Sequence, residues 1–425
     1  MQFSLHRLLF IVLPMAVYCN VHAQPSFPPP SGVYCSCGPT TGIGAGSVDP
    51  AVAAKPFVKG ILVRVGWNYL ETSDNTYNWA LIDSQLSAAR SYSKKVSLGI
   101  GCGIQIPQWV FTVGAQRLVT TVPIADTIAV PWDSVFLHKW TEFITALGNR
   151  YKNDTTIQLV YMTNSTANGF EMQMPFVSNP TLAAVGYTSA KMTNSWKMVI
   201  DTFNAAFPNH YLSNDFHPVN NSDSVADSVY AYAIAKVGSR YGANAWWWTQ
   251  HNTAVYPAEY TILQNSAVNN DFTGIQMAYS GTSDSASFGA GGMPAALQLA
   301  IGQGVCYWEL WNQDILNAAF DSLLSHASCS PATSIGNTAT AVAEIKIYPN
   351  PSDGVFYIVP TSGSENKTGE LKVYNTLGQM VLNEQLSFTN GAYKVYLPGC
   401  ADGLYFIQVI SKGAGIYMDK ILVRR

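Results

Sequence analysis

The stretch KGILVRVGW, residues 59–67, sets the pattern on which the fold of this chain rests. An apolar run rich in β-branched residues ends in Gly66-Trp67, and a helical pattern follows at 79–92. Eight runs have this strand-like character: 32–38, 59–67, 94–103, 157–164, 210–216, 243–252, 273–280 and 304–312. Such strands alternating with helices over about 300 residues predict an α/β fold, a (β/α)8 TIM barrel.

A doubly wound parallel sheet is the competing fold for this alternation. That fold carries a Gly-rich phosphate loop after its first strand, and none follows residues 32–38. The clearest helical patterns lie at 79–92, 133–152, 189–206, 223–240 and 294–302. We therefore assign the barrel to residues 24–328.

The composition limits the function classes. The chain has 425 residues, of which 48% are apolar, so it is long enough for two domains with real cores. With a net charge of −3 and only 12% charged residues, it offers no basic surface to nucleic acid. The 11 Trp and 23 Tyr suit stacking on sugar rings, although such residues also form ordinary core. No HExxH segment and no CxxC pair is present, so we expect no metal and no cofactor.

The N-terminus has the pattern of an export signal. His6 and Arg7 precede the apolar run LLFIVLPMAVY, and Val21-His22-Ala23 offers small residues for cleavage, so residues 1–23 are predicted to be a signal peptide. No later segment has the roughly 18 uninterrupted apolar residues of a transmembrane helix. We therefore expect an exported protein with no transmembrane segment after cleavage.

The composition changes after the barrel. Residues 329–343 are small and polar and predict a linker, and residues 344–425 alternate apolar and polar residues between turns, as in a small all-β sandwich of the immunoglobulin-like type. This last segment resembles the C-terminal sorting domain of the type IX secretion system of the Bacteroidota. The resemblance is carried by Tyr348-Pro349-Asn350-Pro351 with Gly354, Val373-Tyr374-Asn375, Leu377-Gly378-Gln379, Gly403-Leu404-Tyr405, Lys420 and Arg424-Arg425. It implies that the type IX machinery is a partner, and that the chain passes through periplasm and outer membrane to the cell surface or the medium.

The stretch GVCYWELWNQD, residues 304–314, contains the first candidate for chemistry. Alternate side chains of a barrel strand point inward, and active sites form at the C-terminal strand ends. This alternation places Tyr307, Glu309 and Trp311 on the inner face of the eighth strand. The same rule places Arg64 inside on the second strand. Because a buried Arg needs a carboxylate, we expect Arg64 to lie near Glu309.

The other candidates follow other strands. Asn164 ends the fourth strand, and Glu171 comes about seven residues later, where it would face Glu309 across the pocket; a solvated loop acid is the alternative. Asp215-Phe216-His217 ends the fifth strand and allows three interpretations: a metal site, a part of the pocket wall, or a hydrogen bond within the loop. Further expected substrate-binding residues are Arg64, Trp67, Asn68, Asn164, Trp248, His251, Tyr307 and Trp311.

A second resemblance lies in the first half of the barrel. The run from Gly60 to Trp67 with Leu70-Glu71, then Tyr77-Asn78-Trp79 and Asp83, resembles the second-strand region of barrel glycoside hydrolases of the retaining clan that includes β-galactosidases and cellulases. Val96-Ser97-Leu98 leading to Ile106-Pro107-Gln108-Trp109 continues the likeness. It implies hydrolysis of O-glycosidic bonds, a carbohydrate substrate, and an Arg64 that supports a catalytic carboxylate.

The chain departs from that clan at the catalytic positions. The clan places its acid/base Glu directly after an Asn at the end of strand four, whereas Asn164 is followed by Ser165. Its nucleophile ends strand seven, but TGIQMAYS, residues 273–280, contains no acid. Two hypotheses remain. The first is a secreted glycoside hydrolase with Glu171 and Glu309 as its carboxylate pair. The second is a non-catalytic, glycan-binding barrel displayed at the cell surface.

Overall fold

The computed structural model describes residues 25, 27–36, 48–120, 126–174, 177–270, 272–327, 345–360, 368–375, 380–387, 392–411 and 415–424. The predicted signal at 1–23 and the predicted linker at 329–343 lie outside these residues. The chain divides into two compact units, Met1–Ser334 and Ile335–Arg425. Within the described ranges, no helix has both the length and the apolar character that crossing a membrane requires.

Eight parallel strands close into a barrel in the first unit. They are β1 (Gly32–Cys35), β2 (Val58–Gly66), β3 (Lys95–Gly101), β4 (Ile157–Tyr161), β5 (Tyr211–Asp215), β6 (Tyr241–Trp248), β7 (Gly274–Met277) and β8 (Tyr307–Leu310). Each strand pairs with the next in chain order, and β8 pairs with β1 to close the ring. The predicted (β/α)8 barrel is confirmed.

One long helix follows each strand from β2 to β8. These helices are α1 (Ala80–Ser91), α2 (Ser134–Tyr151), α3 (Ser189–Ala206), α4 (Ser224–Val237), α5 (Pro257–Asn269), α6 (Gly292–Gly302) and α7 (Ala318–His326). Side-chain caps fix some starts, since Asp133 accepts a hydrogen bond from the Phe136 amide at 2.8 Å ahead of α2. The five helices predicted from the sequence coincide with α1, α2, α3, α4 and α6 to within a few residues.

Shorter elements complete the first unit. Short helices lie at Pro50–Ala53, Trp67–Leu70, Gln108–Thr112, Asn179–Ala184, Asn252–Val255 and Asn312–Leu316, and 3-10 turns at Gly238–Arg240 and Ser285–Phe288. Two small antiparallel ribbons join Glu71–Ser73 to Thr76–Tyr77 and Arg117–Thr120 to Asp126–Ala129.

Strand alternation sorts the buried side chains of the barrel into two separate clusters. The larger cluster lies between strands and helices and includes Ile61, Val63 and Trp308. The smaller one fills the barrel interior and consists of Tyr34, Leu62, Leu159, Tyr161, Phe170, Tyr211, Trp246, Phe272 and Tyr307, with Phe27 packed against it. The interior is therefore a packed, strongly aromatic core, on top of which any site at the strand ends is built.

The second unit contains two antiparallel sheets. Its strands are β9 (Ile345–Tyr348), β10 (Val355–Pro360), β11 (Thr368–Asn375), β12 (Met380–Ser387), β13 (Tyr393–Tyr396), β14 (Gly403–Ser411) and β15 (Gly415–Val423). One sheet has the order β9-β10-β13 and the other β12-β11-β14-β15. Alternate residues such as Phe356, Ile358, Leu371 and Val373 build its buried core. The predicted small all-β domain is confirmed.

Candidate active site

Glu309 lies on the inner face of β8 and reaches across the barrel. Its Oε1 accepts a hydrogen bond of 2.8 Å from the Tyr161 hydroxyl at the end of β4, and a second, short one from the Tyr307 hydroxyl. The residue is fully buried, and its Oε2 has no hydrogen-bond partner among the described residues. The inward orientation expected from strand alternation is thus the orientation in the structure.

Burial governs the ionisation of this carboxyl. The loss of solvent raises the pKa of Glu309 to about 7, although the hydrogen bonds from Tyr307 and Tyr161 and the charge of Arg64 act to lower it. Glu309 is therefore largely protonated below neutral pH. Arg64 acts on the carboxyl through its positive charge.

Neutral polar groups surround the buried carboxyl. The Asn244 amide donates to the Tyr161 hydroxyl at 2.6 Å, and Ser97 and Tyr307 share a hydrogen bond of 2.7 Å. Gln276 lies beside Glu309 in the β7–β8 register, so β7 contributes an amide and no second carboxylate here. The hydrogen-bonded side chains span β3, β4, β6 and β8 and hold the barrel interior in one arrangement.

Two aromatic rings and a guanidinium cover this interior. Phe170, from the loop after β4, stacks on Trp246 with ring centroids 5.5 Å apart, and Trp246 contacts the Tyr161 ring at 5.2 Å. A Cβ at Gly101 on β3 would lie 3.1 Å from the Phe170 ring, so the glycine makes room for it. The Arg64 guanidinium lies 5.8 Å from the centroid of Trp246. This cover separates Glu309 from solvent.

Glu171 is the carboxylate of the mouth that solvent reaches. It follows Phe170 directly, its side chain is 19% exposed, and its backbone amide donates to Asn168 Oδ1 at 2.9 Å. Gln173 donates a short hydrogen bond to Glu171 Oε2, and His217 Nε2 lies 3.9 Å from the same oxygen. No hydrogen bond or ion pair joins Glu171 to Glu309 among the described residues.

Asp215 and His217 stand beside Glu171 at the end of β5. Asp215 Oδ2 accepts a 2.5 Å hydrogen bond from His217 Nδ1, and Asp215 Oδ1 accepts one of 2.7 Å from the Trp246 amide. The segment thus makes a buried hydrogen bond next to the pocket. Among the described residues, no cluster of three or more His, Cys, Asp or Glu side chains has the arrangement of a metal site.

The ionisation of these groups is coupled through their charges. Burial and the nearby Asp215 carboxylate raise the pKa of Glu171, against the opposing effect of His217. Burial lowers the pKa of His217, but the Asp215 charge and hydrogen bond, with Glu171 and Glu259, raise it by more, so it lies above its usual value. Glu171 can therefore hold a proton at a pH where an exposed Glu is ionised.

An open cavity of about 350 Å3 adjoins this cluster. Its walls include His217, Gln173, Asn220 and the ring of Tyr256. Such a mixture of amides, an imidazole and an aromatic ring offers the hydrogen bonds and the flat apolar face that a sugar ring needs.

The residues expected to bind substrate separate into three groups. Arg64, Tyr307 and Trp311 lie at or below the mouth, where the Arg64 guanidinium is 5.9 Å from the centroid of the Trp311 ring and donates to the Ser36 carbonyl at 2.8 Å. Asn68 and His251 lie in exposed positions in the segments after β2 and β6.

The other three lie in the packed core. Trp67 donates to Glu71 Oε2 at 2.7 Å under the helices, and Asn164 donates to Ser195 of α3 at 2.8 Å. Trp248 donates to the Ala296 carbonyl of α6 at 2.8 Å. An irregular register between Ala245 and Trp248 turns the Trp248 side chain outward, towards the helices, instead of into the barrel.

Sequence reasoning missed Tyr161, Phe170 and Asn244. Alternation along β4 and β6 is the signal that could have found Tyr161 and Asn244, since each has the parity of an inward position. Phe170 lies on a loop, where no periodicity applies, and only the structure brings it over the barrel.

The tail of the chain has a known counterpart. Residues 346–424 match the family described as "Secretion system C-terminal sorting domain". The second unit is a secretion sorting domain. The protein is therefore exported to the cell surface or the medium, as the resemblance implied, and the sorting domain implies an interaction with the secretion machinery.

Solved structures similar to the chain include several glycoside hydrolases. One described as "a glycoside hydrolase" has a TM-score of 0.43 and 11% identity, covering 67% of this chain and 88% of its own. An endo-β-1,4-mannanase from Thermotoga petrophila has a TM-score of 0.42 and 10% identity, with coverages of 86% and 91%. A psychrophilic family 10 endo-β-1,4-xylanase has a TM-score of 0.39 and 12% identity, with coverages of 66% and 85%. No curated relative matches the chain. Likeness at this level carries no argument about activity, which must come from the residues of the mouth.

Proposed function

We propose that the protein is a secreted glycoside hydrolase that cleaves O-glycosidic bonds of a polysaccharide or oligosaccharide with Glu171 and Glu309. The observation that carries the proposal is the convergence of two protonatable carboxyls on one barrel end. Glu309 is hydrogen-bonded to Tyr161 at the end of β4, and Glu171 belongs to the loop that leaves the same strand. Raised pKa values for both carboxyls support an acid role for either.

Glu171 is the proton donor in this proposal. Its side chain reaches solvent beside the cavity, and its raised pKa keeps a proton available for the leaving oxygen of the glycosidic bond. Arg64, Trp246 and Trp311 form the platform over the barrel interior, whose rings and guanidinium would suit the flat face and the hydroxyl groups of a sugar once the Phe170 ring has left Trp246.

Glu309 is the second carboxyl of the pair and lies in the barrel interior, beneath the platform. In the closed arrangement the rings of Phe170 and Trp246 cover it, so it meets substrate only when the loop that carries Phe170 moves off the mouth. Gly169, with a φ of +78°, precedes Phe170 and gives this loop a backbone conformation that other residues rarely adopt. Substrate binding would supply the energy for this movement.

A glycan panel tests the proposal. The protein without residues 1–23 is incubated with plant, algal and bacterial polysaccharides, and released sugars are measured by mass spectrometry for the wild type, Glu171→Gln and Glu309→Gln. We expect release from at least one glycan and its loss in both variants. Release that is unaffected by both substitutions would overturn the assignment of the carboxyls.

The complete burial of Glu309 and the presence of Gln276 beside it favour a second candidate function. With only Glu171 accessible, the barrel would bind glycan at the cell surface without cutting it. Isothermal titration with the same panel distinguishes the two. Binding without any release of sugar supports this candidate and contradicts hydrolysis.

A further inference from the structure

The Asp215–His217 pair has a geometry that a simple loop hydrogen bond does not require. Asp215 is 1% exposed and has both carboxylate oxygens engaged, one by the Trp246 amide and the other by His217 Nδ1. This double anchorage fixes the plane of the imidazole and leaves a proton on Nδ1. The remaining ring nitrogen, Nε2, lies 3.9 Å from Glu171 Oε2.

The ring itself is held on its faces and edges. His217 is 2% exposed, and its ring packs edge to face on Tyr256 with centroids 5.2 Å apart and on Trp247 at 6.5 Å. The ring thus has one direction in which to meet a partner, and that direction contains the Glu171 carboxyl and the 350 Å3 cavity.

The titratable groups that face His217 are few. Asp215 is the last residue of β5, two residues before His217, and Glu171 lies in the loop after β4. Glu259 lies in α5, and Tyr256 directly precedes that helix. Glu259 is buried, makes no ion pair with His217 within 4.0 Å among the described residues, and has a pKa that burial raises to about 7. Asp215 and Glu171 are therefore the partners that set the charge of the ring.

We propose that Asp215 and His217 are positioning residues for Glu171: Asp215 orients the imidazole so that, when the ring carries a proton on both nitrogens, its Nε2–H faces the Glu171 carboxyl, which carries a proton of its own. This inference rests on the proposed function, in which Glu171 is the proton donor. When Glu171 gives its proton to the leaving oxygen, its carboxylate faces the N–H of a charged imidazole. The pair thus stabilises the ionised form of the acid and holds its side chain towards the cavity.

Histidine titration tests the geometry without any substrate. The chain has seven histidines, and removal of His6 and His22 with the signal leaves five, so 15N-labelled imidazoles can be followed individually by NMR. His217 is assigned with His217→Gln. Loss of a carboxylate within about 4 to 6 Å lowers a histidine pKa by one unit or more. We expect Glu171→Gln to lower the pKa of His217 by about one pH unit and Asp215→Asn to lower it further.

A matched control exists on α2, where Glu142 lies 3.3 Å from His138. Glu142→Gln removes a carboxylate beside a different histidine and should leave the titration of His217 unchanged. A titration of His217 that is the same in the wild type and Glu171→Gln would overturn the proposal, whether or not the protein cleaves a glycan.

The pH dependence of turnover tests the consequence. His217→Gln should displace the limb of the kcat/KM profile that belongs to Glu171, whereas His210→Gln, at the other end of β5, should leave the profile in place. His210 is also buried, and its Nε2 lies 3.2 Å from the Asp154 carbonyl. A uniform loss of rate at every pH in His217→Gln would show a purely structural role. If the wild type cleaves nothing, the proposed function fails, and the NMR result still decides the pairing.

Discussion

Replacing Glu309 with Gln should stabilise the barrel relative to the wild type at high pH. The carboxyl is completely buried, and burial raises its pKa from 4.5 to about 7. Below pH 4.5 the group is protonated in both the folded and the unfolded chain. Between pH 4.5 and 7 only the unfolded chain ionises, so the folded wild type loses stability as the pH rises.

The size of the effect follows from this interval. Each pH unit between the two pKa values costs about 1.4 kcal/mol, so the full loss over about 2.5 units is roughly 3.5 kcal/mol, of which roughly 3 kcal/mol falls between pH 4.5 and pH 8. The glutamine side chain of the variant does not titrate and keeps the shape of the protonated Glu. The free energy of unfolding of Glu309→Gln, minus that of the wild type, should therefore rise by roughly 3 kcal/mol between pH 4.5 and pH 8.

Urea denaturation followed by tryptophan fluorescence measures this difference at several pH values. Other buried acids such as Glu259 are present in both proteins, so their contributions cancel. Ser287→Ala, at an exposed position after β7, changes no ionisable group, so it is the control and should give a difference that does not change with pH. A difference for Glu309→Gln that is equally constant would refute the reasoning, because it would mean that water reaches the carboxyl.

Three further predictions concern the cover, the platform and the tail. Phe170→Ala removes a buried ring, so it should lower the free energy of unfolding by about 3 to 5 kcal/mol. It should also reduce the loss of stability that Glu309 causes as the pH rises. An unchanged urea midpoint would contradict this prediction. Arg64→Lys keeps the charge but loses the guanidinium beside the Trp246 and Trp311 rings. Titration calorimetry should therefore show about fivefold weaker glycan binding, a loss of about 1 kcal/mol, and equal affinity would contradict this prediction. Deletion of residues 344–425 should retain the protein inside the cell envelope, as judged by immunoblots of cell fractions, and undiminished delivery to the medium would contradict a sorting role.

The barrel was predictable from the sequence because its signal is repeated. Strand alternation assigns Glu309 and Arg64 to the inner face without knowledge of the rest of the fold, and both assignments agree with the structure. Trp248 shows where this reasoning fails. An irregularity in β6 changes the phase of alternation, and no residue pattern announces it, so the inward ring is Trp246.

The accessibility of the site was not predictable. Burial of Glu309 depends on Phe170, a loop residue that reaches the barrel mouth through contacts distant in sequence with Gly101 and Trp246. The pairing of Asp215 with His217 is local in sequence, and the segment was correctly noted as a candidate for a hydrogen bond. Its contact with Glu171 depends on the path of a different loop, which only tertiary packing determines.

The central claim is that Glu171 donates a proton to the leaving group of a glycosidic bond, and one comparison of leaving groups tests it most directly. Turnover by the wild type and by Glu171→Gln is measured on a natural glycan identified in the panel and on the matching dinitrophenyl glycoside, whose leaving group needs no proton. The account predicts a loss of about 10²- to 10⁴-fold on the natural glycan and little loss on the dinitrophenyl glycoside. Equal losses on both substrates, or no loss on either, would contradict it.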